Sequence, residues 1–321
     1  VSTSVFEGMK NATAPFGFRV EKNILPHAVV MPVNSLEISQ ILKLANRERV
    51  PVFIRGSGTS LAGHSKPHRP GIIINTHRMQ KMTVYENHGY FECEPGITAA
   101  KVGDSLERIK CFLPVWPGSR VVASMGGLVC NNTSGHIVDA CLGKPGDYIL
   151  GLKVVLPDGE IIQTGSKGLR RIAGTDLTKF FVGSDGILGV ITRIRMRLVP
   201  SFSQAYGVAV FKDLTQLAAA VKRIFVERLP PPLFMEMMDQ KVAEVGYRIK
   251  GMTPPLGAVV MFGAASADKR GAVEKVSRML AFFSGTGAIE TRLVEDENTW
   301  HKIVAAREVI GSYLLQEVEG V

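Results

Sequence analysis

The chain has 321 residues, which at about 150 per domain suggests two domains, and its 45% hydrophobic and 21% charged composition excludes a disordered polymer. Its 33 glycines keep no three-residue period, which excludes collagen, and its longest apolar stretches, such as 254–265, fall short of the roughly 18 residues a membrane span needs. The formal charge of +9 lies wholly in residues 1–200, with 24 basic and 15 acidic side chains against 14 and 14 beyond; this suits an anionic partner, and no basic helix, finger motif or basic–aromatic alternation points to nucleic acid.

The apolar run at 28–33 (AVVMPV), closed by Pro32, predicts a strand. Asn34 and Ser35 then offer a cap to a helix whose apolar face is Leu36, Ile38, Ile41, Leu42 and Leu44. PVFI at 51–54 predicts a buried strand, RGSGTSLAGH at 55–64 a glycine-rich loop, and GIIIN at 71–75 another strand. A second unit starts near Tyr90, where FECEPG alternates like a strand and turns at Pro95–Gly96. Residues 99–109 predict a helix, and 117–135 (PGSRVVASMGGLVCNNTSG) a second glycine loop. Strands at 150–156 and 160–163 flank the hairpin signal Pro157-Asp158-Gly159. GSDGILG at 183–189 is a third glycine loop, followed by VITRIRMRLV, which alternates as a half-buried strand does. Pro200 predicts a domain boundary. Beyond it, helices expected at 214–225 and 269–282 with a strand at 258–262 predict a sheet with helices on one face.

Glycine lets successive backbone N–H groups converge on one concavity, so such a loop either cradles an anion or is a tight turn. The first loop is G-x-G-x-x-x-x-G. No Lys-Ser/Thr pair follows, so it is not a P-loop, and its last glycine comes too late for the dinucleotide fingerprint. Thr59 and Ser60 add hydroxyl donors, and Arg55 can approach the same charge or stack on a base. Three such loops in the positively charged part predict one large phosphate-bearing ligand. The four cysteines, Cys93, Cys111, Cys130 and Cys141, form no CxxC pair, and the seven histidines form no HxH pair, so no metal site or iron–sulfur cluster is expected. Reduced thiols and the lack of a visible secretory signal predict a cytoplasmic protein.

In order, PVFIRGSGTSLAG, PGSRVVASMGGLVCNNTSG, DYILGLKVVLPDGEII and AGTDLTKFFVGSDGILGVIT resemble the flavin domain of the FAD-linked oxidases, of the vanillyl-alcohol-oxidase and p-cresol-methylhydroxylase type. The likeness covers about residues 24–200 and is greatest to the glycolate oxidase catalytic subunit and the D-lactate dehydrogenases. It implies an α+β fold: an N-terminal extension at 1–23, an FAD-binding domain at 24–200 with subdomains at about 24–90 and 91–200, and a partial ferredoxin-like substrate or cap domain at 201–321. It also implies non-covalent FAD between the subdomains. Arg55, Gly56, Ser57, Gly58, Thr59 and Ser60 match the loop that wraps the pyrophosphate. Pro117, Gly118, Ser119, Ser124, Gly126, Gly127 and Asn131 match the loop along pyrophosphate and flavin. Gly189, Val190 and Ile191 match the backbone contacts near the adenine.

The chain departs from the family pattern in places. His64 stands where Gly is usual. The family's covalent attachment motif places its histidine earlier in this loop, so a solvent-facing, unattached side chain is expected. Asp185 replaces the usual Glu, Ile187 the usual Thr, and Thr133-Ser134 small residues.

PPLFMEMMD at 231–239 resembles the first strand of the family's cap. IVAAREVI at 303–310 resembles a motif whose arginine, here Arg307, binds the substrate carboxylate, for which a guanidinium fork is suited. The other reading is a helix-surface arginine paired with Glu308 or another acid. Gly311 stands where a Thr often lies. The family's cap continues further, through a His-rich segment that supplies the catalytic histidine and, in many members, metal ligands. Nothing like it occurs here, so no catalytic residue is assigned, and the chain is expected to be a fragment, a truncated product or one part of a split enzyme.

The implied reaction oxidises a small D-2-hydroxy acid, glycolate or D-lactate, by hydride transfer to flavin N5. Electrons would leave for an iron–sulfur or second flavin subunit, a quinone or a cytochrome, in the cytoplasm or at a membrane through a partner. Two rivals stay open: a non-catalytic FAD-binding subunit that relays electrons, and another reaction on the same flavin domain, as in the alkyl-dihydroxyacetone-phosphate synthases.

Overall fold

The computed structural model describes residues 1–12, 24–115, 117–135, 143–168 and 174–319; Cys141 and residues 13–23 lie outside them. The chain divides into two compact units, Val1–Ser134 with Lys144–Pro200, and Gly135–Gly143 with Ser201–Val321.

In the first unit, α1 (Val5–Ala12) precedes β1 (Ala28–Val30), α2 (Ser35–Arg47), β2 (Val52–Arg55) and β3 (Ile72–Asn75). The strands form a parallel sheet in the order β1-β3-β2. The helix α1 is fastened to it: Ser2 bridges Val29, and the buried Asn75 amide donates to Asn11 Oδ1 at 2.6 Å. Asn34 caps α2 by accepting from Glu37 N, as its sequence predicts. The apolar stripe of α2, Ile38 and Leu42, buries against Val30, Ile74, Val155 and Val190.

The last two residues belong to a second sheet, so α2 packs against both. The chain continues through β4 (Met82–Tyr85), β5 (Tyr90–Cys93), α3 (Ala99–Glu107), β6 (Cys111–Phe112), α4 (Met125–Cys130), β7 (Ile149–Val155), β8 (Ile161–Gly165), α5 (Thr178–Phe181), β9 (Val190–Arg197) and β10 (Val199–Pro200). An antiparallel sheet runs β4-β5-β9-β7-β8, and β6 pairs with β10. The turn at Pro157-Asp158-Gly159 joins β7 to β8. The short helix α4 differs from the sequence reading, which has loop throughout 117–135.

The second unit comprises β11 (Ser203–Phe211), α6 (Leu214–Val226), β12 (Phe234–Met238), α7 (Gln240–Ile249), β13 (Ala258–Ser266), α8 (Lys269–Gly285), β14 (Glu290–Val294) and α9 (Glu297–Glu319). Its order is β12-β13-β11-β14 with every neighbouring pair antiparallel. Thus β11 and β12 flank β13 as a split β-α-β unit, the ferredoxin-like arrangement. Asp213, Asp239 and Asp268 cap α6, α7 and α8.

The sequence reading puts helices on one face of this sheet; the structure corrects that to both. Ala258, Val260 and Phe262 of β13 pack with α6 and α8, whereas Val259 and Met261 pack with α7 and α9. A strand covered on both sides reads as an unbroken apolar run, as AVVMF does, and not as an alternation.

Candidate functional site

Strand β2 runs directly into the first glycine loop. Arg55, its last residue, is only 7% exposed. The guanidinium lies beneath the loop: Nη1 donates to Ser65 Oγ at 3.3 Å, and a side chain at Gly58 would fall on it. Gly58 has φ +72°, a conformation glycine adopts without strain. Burial lowers the pKa of Arg55 from its ordinary value, yet an arginine stays charged. The structure therefore makes Arg55 a strut below the loop, where the sequence reading has it reaching out to a ligand. Gly56, Ser57, Thr59 and Ser60 are half-buried on the loop itself.

In the second loop, Pro117, Gly118 and Ser119 build turns anchored on α3: Arg120 N donates to Pro117 O, Ala123 N to Ser119 O, and Ala99 N to Ala123 O. Ser124 then occupies the N-cap position of α4 without making a capping bond. Its Oγ is buried and has no hydrogen-bond partner. A side chain at Gly56 would land on this oxygen, so the first two loops meet there. Such a hydroxyl costs about 1–3 kcal/mol when left unsatisfied and fits a ligand that supplies the partner. Gly126 packs tightly on Pro95 and donates to its carbonyl at 2.8 Å. Gly127 O accepts from Asn131 Nδ2 at 2.9 Å.

The third loop hangs on the end of α4. Gly183 N donates to Val129 O, and Asp185 N to Cys130 O at 2.9 Å. Asp185 itself has φ +54°. Its carboxylate lies 3.1 Å from His64 Nδ1, which is also 3.1 Å from Asn131 Oδ1 and 3.4 Å from Ser60 Oγ. The imidazole, expected to face solvent, is exposed but also joins all three loops. Burial, with the Asp185 carboxylate adding to it, pushes the Cys130 thiol up to about 12.

A cavity of about 590 Å³ is lined in part by Phe53, His64, Lys66, Asp185, Gly189 and Val190. Ile191, one residue further, is buried in the β7–β9 ladder. Phe53 and Lys66 are not among the site residues read from the sequence; they reach the cavity because they flank the first loop.

In the second unit, Arg307 on α9 donates from Nε to Glu236 Oε2 of β12 at 3.0 Å, with 37% of the side chain exposed. The acid that engages it is Glu236, on a different element from the helix neighbour Glu308. Gly311 is exposed on the same helix.

Residues 26–165 match the family model of an FAD binding domain, and residues 201–320 that of the C-terminal domain of FAD linked oxidases. The chain belongs to the FAD-linked oxidase family. This family member is 30% identical over 294 residues to a D-lactate dehydrogenase of Archaeoglobus fulgidus, covering 90% of this chain and 64% of that protein. It is 34% identical over 218 residues to glycolate oxidase subunit GlcD of Bacillus subtilis, covering 67% and 46% respectively. The chain thus spans about half to two thirds of the length of these relatives. Among solved structures, p-cresol methylhydroxylase with substrate bound shares the fold, with a TM-score of 0.77 at 14% identity over 96% of this chain and 68% of that one.

FAD is the cofactor of this family, and the described residues fit it: the Ser124 hydroxyl lacks a partner, and Gly56 has no side chain to strike it. Among the described residues, no group of three or more His, Cys, Asp or Glu is placed to hold a metal ion, and no helix is long and apolar enough to cross a membrane.

Proposed function

We propose that this chain serves an FAD-dependent oxidation of a small D-2-hydroxy acid, glycolate or D-lactate. The observation that carries the cofactor half is the buried, unpartnered Ser124 Oγ where Gly56 and α4 meet. The names of the two relatives above support the substrate class.

In this reading the backbone N–H groups of 56–60 and the Ser124 hydroxyl hold the diphosphate, with Asn131 beside them. Gly189, Val190 and Ile191 supply backbone at the adenine end. When bound, FAD supplies the acceptor for the hydride released from the substrate's α-carbon. Arg307 grips the substrate carboxylate. Glu236 takes its Nε, so Nη1 and Nη2 form the fork that meets the anion, and the pair holds the fork in one orientation. FAD is held without a covalent bond, and an iron–sulfur or second flavin subunit accepts the electrons.

A second reading, an FAD-binding electron relay without substrate chemistry of its own, is favoured by the engagement of Arg307 with Glu236. Anaerobic addition of D-lactate or glycolate to the FAD-loaded chain separates the two. Bleaching of the flavin bands supports the oxidoreductase; a flavin reduced by dithionite but by neither hydroxy acid supports the relay.

A further inference from the structure

His64 Nδ1 lies within reach of Asp185 Oδ1 and Asn131 Oδ1, both at 3.1 Å. A carboxylate only accepts. The Asn131 amide is oriented by its own bond, Nδ2 donating to Gly127 O at 2.9 Å, so the oxygen turned to the imidazole also only accepts. Nδ1 therefore carries the proton. Nε2 is then the acceptor of the neutral ring and becomes a donor when the ring is charged. The partners come from three places: Ser60 from the first loop, Asn131 from the end of α4, and Asp185 from the third loop. His64 and Asp185 both line the cavity of about 590 Å³.

We infer that His64 is a positioning residue of the FAD cradle: its imidazole, oriented by Asp185, sets the spacing of the three loops, and protonation of the ring tightens their hold on FAD. This rests on the cofactor reading above. The neutral ring brings no charge to the Asp185 carboxylate 3.1 Å away, whereas the imidazolium forms an ion pair with it. The charged ring also adds a positive charge in a cradle that receives a diphosphate. A bound state that favours the imidazolium takes up a proton, so affinity rises as pH falls. The other groups on this wall are Lys66 and His68, with the uncharged Asn46 contributed by α2. Arg55 lies beneath the loop, and the Cys130 thiol, held up to about 12, stays neutral. His68 is the other imidazole, so its variant is the control.

The test is titration of the purified chain with FAD, read by flavin fluorescence at about pH 5.5 and about pH 8. The wild-type Kd is expected to be about 3–10-fold lower at the acid pH. His64→Asn cannot charge, so its Kd for FAD is the same at both pH values and shows no acid gain. Asp185→Asn, which tolerates the positive φ, also loses the gain, while His68→Asn keeps it. Melting temperatures without FAD establish that the variants fold. Nitrogen NMR of the histidine-labelled chain locates the proton on Nδ1 independently of FAD. A wild-type Kd equal at both pH values, an acid gain retained by His64→Asn, or a neutral ring protonated on Nε2 would each overturn the inference while leaving FAD binding intact. A wild-type chain that binds FAD at neither pH would remove the cofactor reading and the positioning role with it.

Discussion

The buried hydroxyl of Ser124 stands where a side chain on Gly56 would have to go. The two residues belong to different glycine loops, and this contact sets how closely the loops approach. It gives the pair opposite mutational signatures. Ser124→Ala removes an unsatisfied buried group, so the FAD-free chain gains about 1–3 kcal/mol. The same change removes a ligand contact and raises the Kd for FAD about 5–10-fold. Gly56→Ala displaces the hydroxyl, weakens FAD and stabilises nothing. Thermal melts with and without FAD check both arms.

Gly58 meets two constraints at once. Its φ of +72° strains an alanine, and the Arg55 guanidinium fills the space of a side chain. Gly58→Ala should cost about 1–3 kcal/mol and lower the melting temperature even without FAD. A melt unchanged from wild type would show that the loop does not depend on the arginine strut.

Arg307 and Glu236 separate cofactor from substrate. Arg307→Ala should leave FAD affinity unchanged and abolish bleaching by D-lactate or glycolate at moderate substrate concentration. Glu236→Gln keeps a hydrogen-bond acceptor but loses the charge, and should raise KM about 3–10-fold with a smaller effect on kcat. Stopped-flow reduction of the loaded chain gives both values.

The raised thiol and phenol predict alkaline weakening. Burial raises Cys130 from 9.0 to about 12, and burial with the Glu297 carboxylate raises Tyr206 from 10.0 to about 12. In each case the unfolded chain loses its proton first. Stability from these groups is therefore complete below about pH 9 and is lost progressively up to about pH 12. Cys130→Ala should flatten the lower part of that decline in urea melts at rising pH, and Tyr206→Phe the upper part.

Local signals carried much of the fold. Asn34 announces α2, whose stripe of Ile38 and Leu42 is the one that buries, and Pro157-Asp158-Gly159 marks the β7–β8 turn. The helix α7 was hidden because Gly246 interrupts its pattern. That glycine is there for tertiary reasons, since a side chain would strike Ala306 O of α9. Helix α4 was hidden by Gly126 and Gly127, which read as loop. The site was legible as three glycine loops but not as a geometry. Nothing around His64 announces Asp185, because their contact depends on the third loop being held by the backbone of Val129 and Cys130. The burial of Arg55 was equally unreadable, since it follows from the path of the chain at Gly58.

In the proposed function the loops of the first unit hold FAD without a covalent bond. This is tested most directly by soaking the purified chain with FAD, removing the excess by gel filtration and recording the visible spectrum. Retained flavin bands near one FAD per chain are expected, with all the flavin released by acid precipitation of the protein. A folded but colourless protein, or flavin that stays with the precipitate, would contradict non-covalent FAD binding.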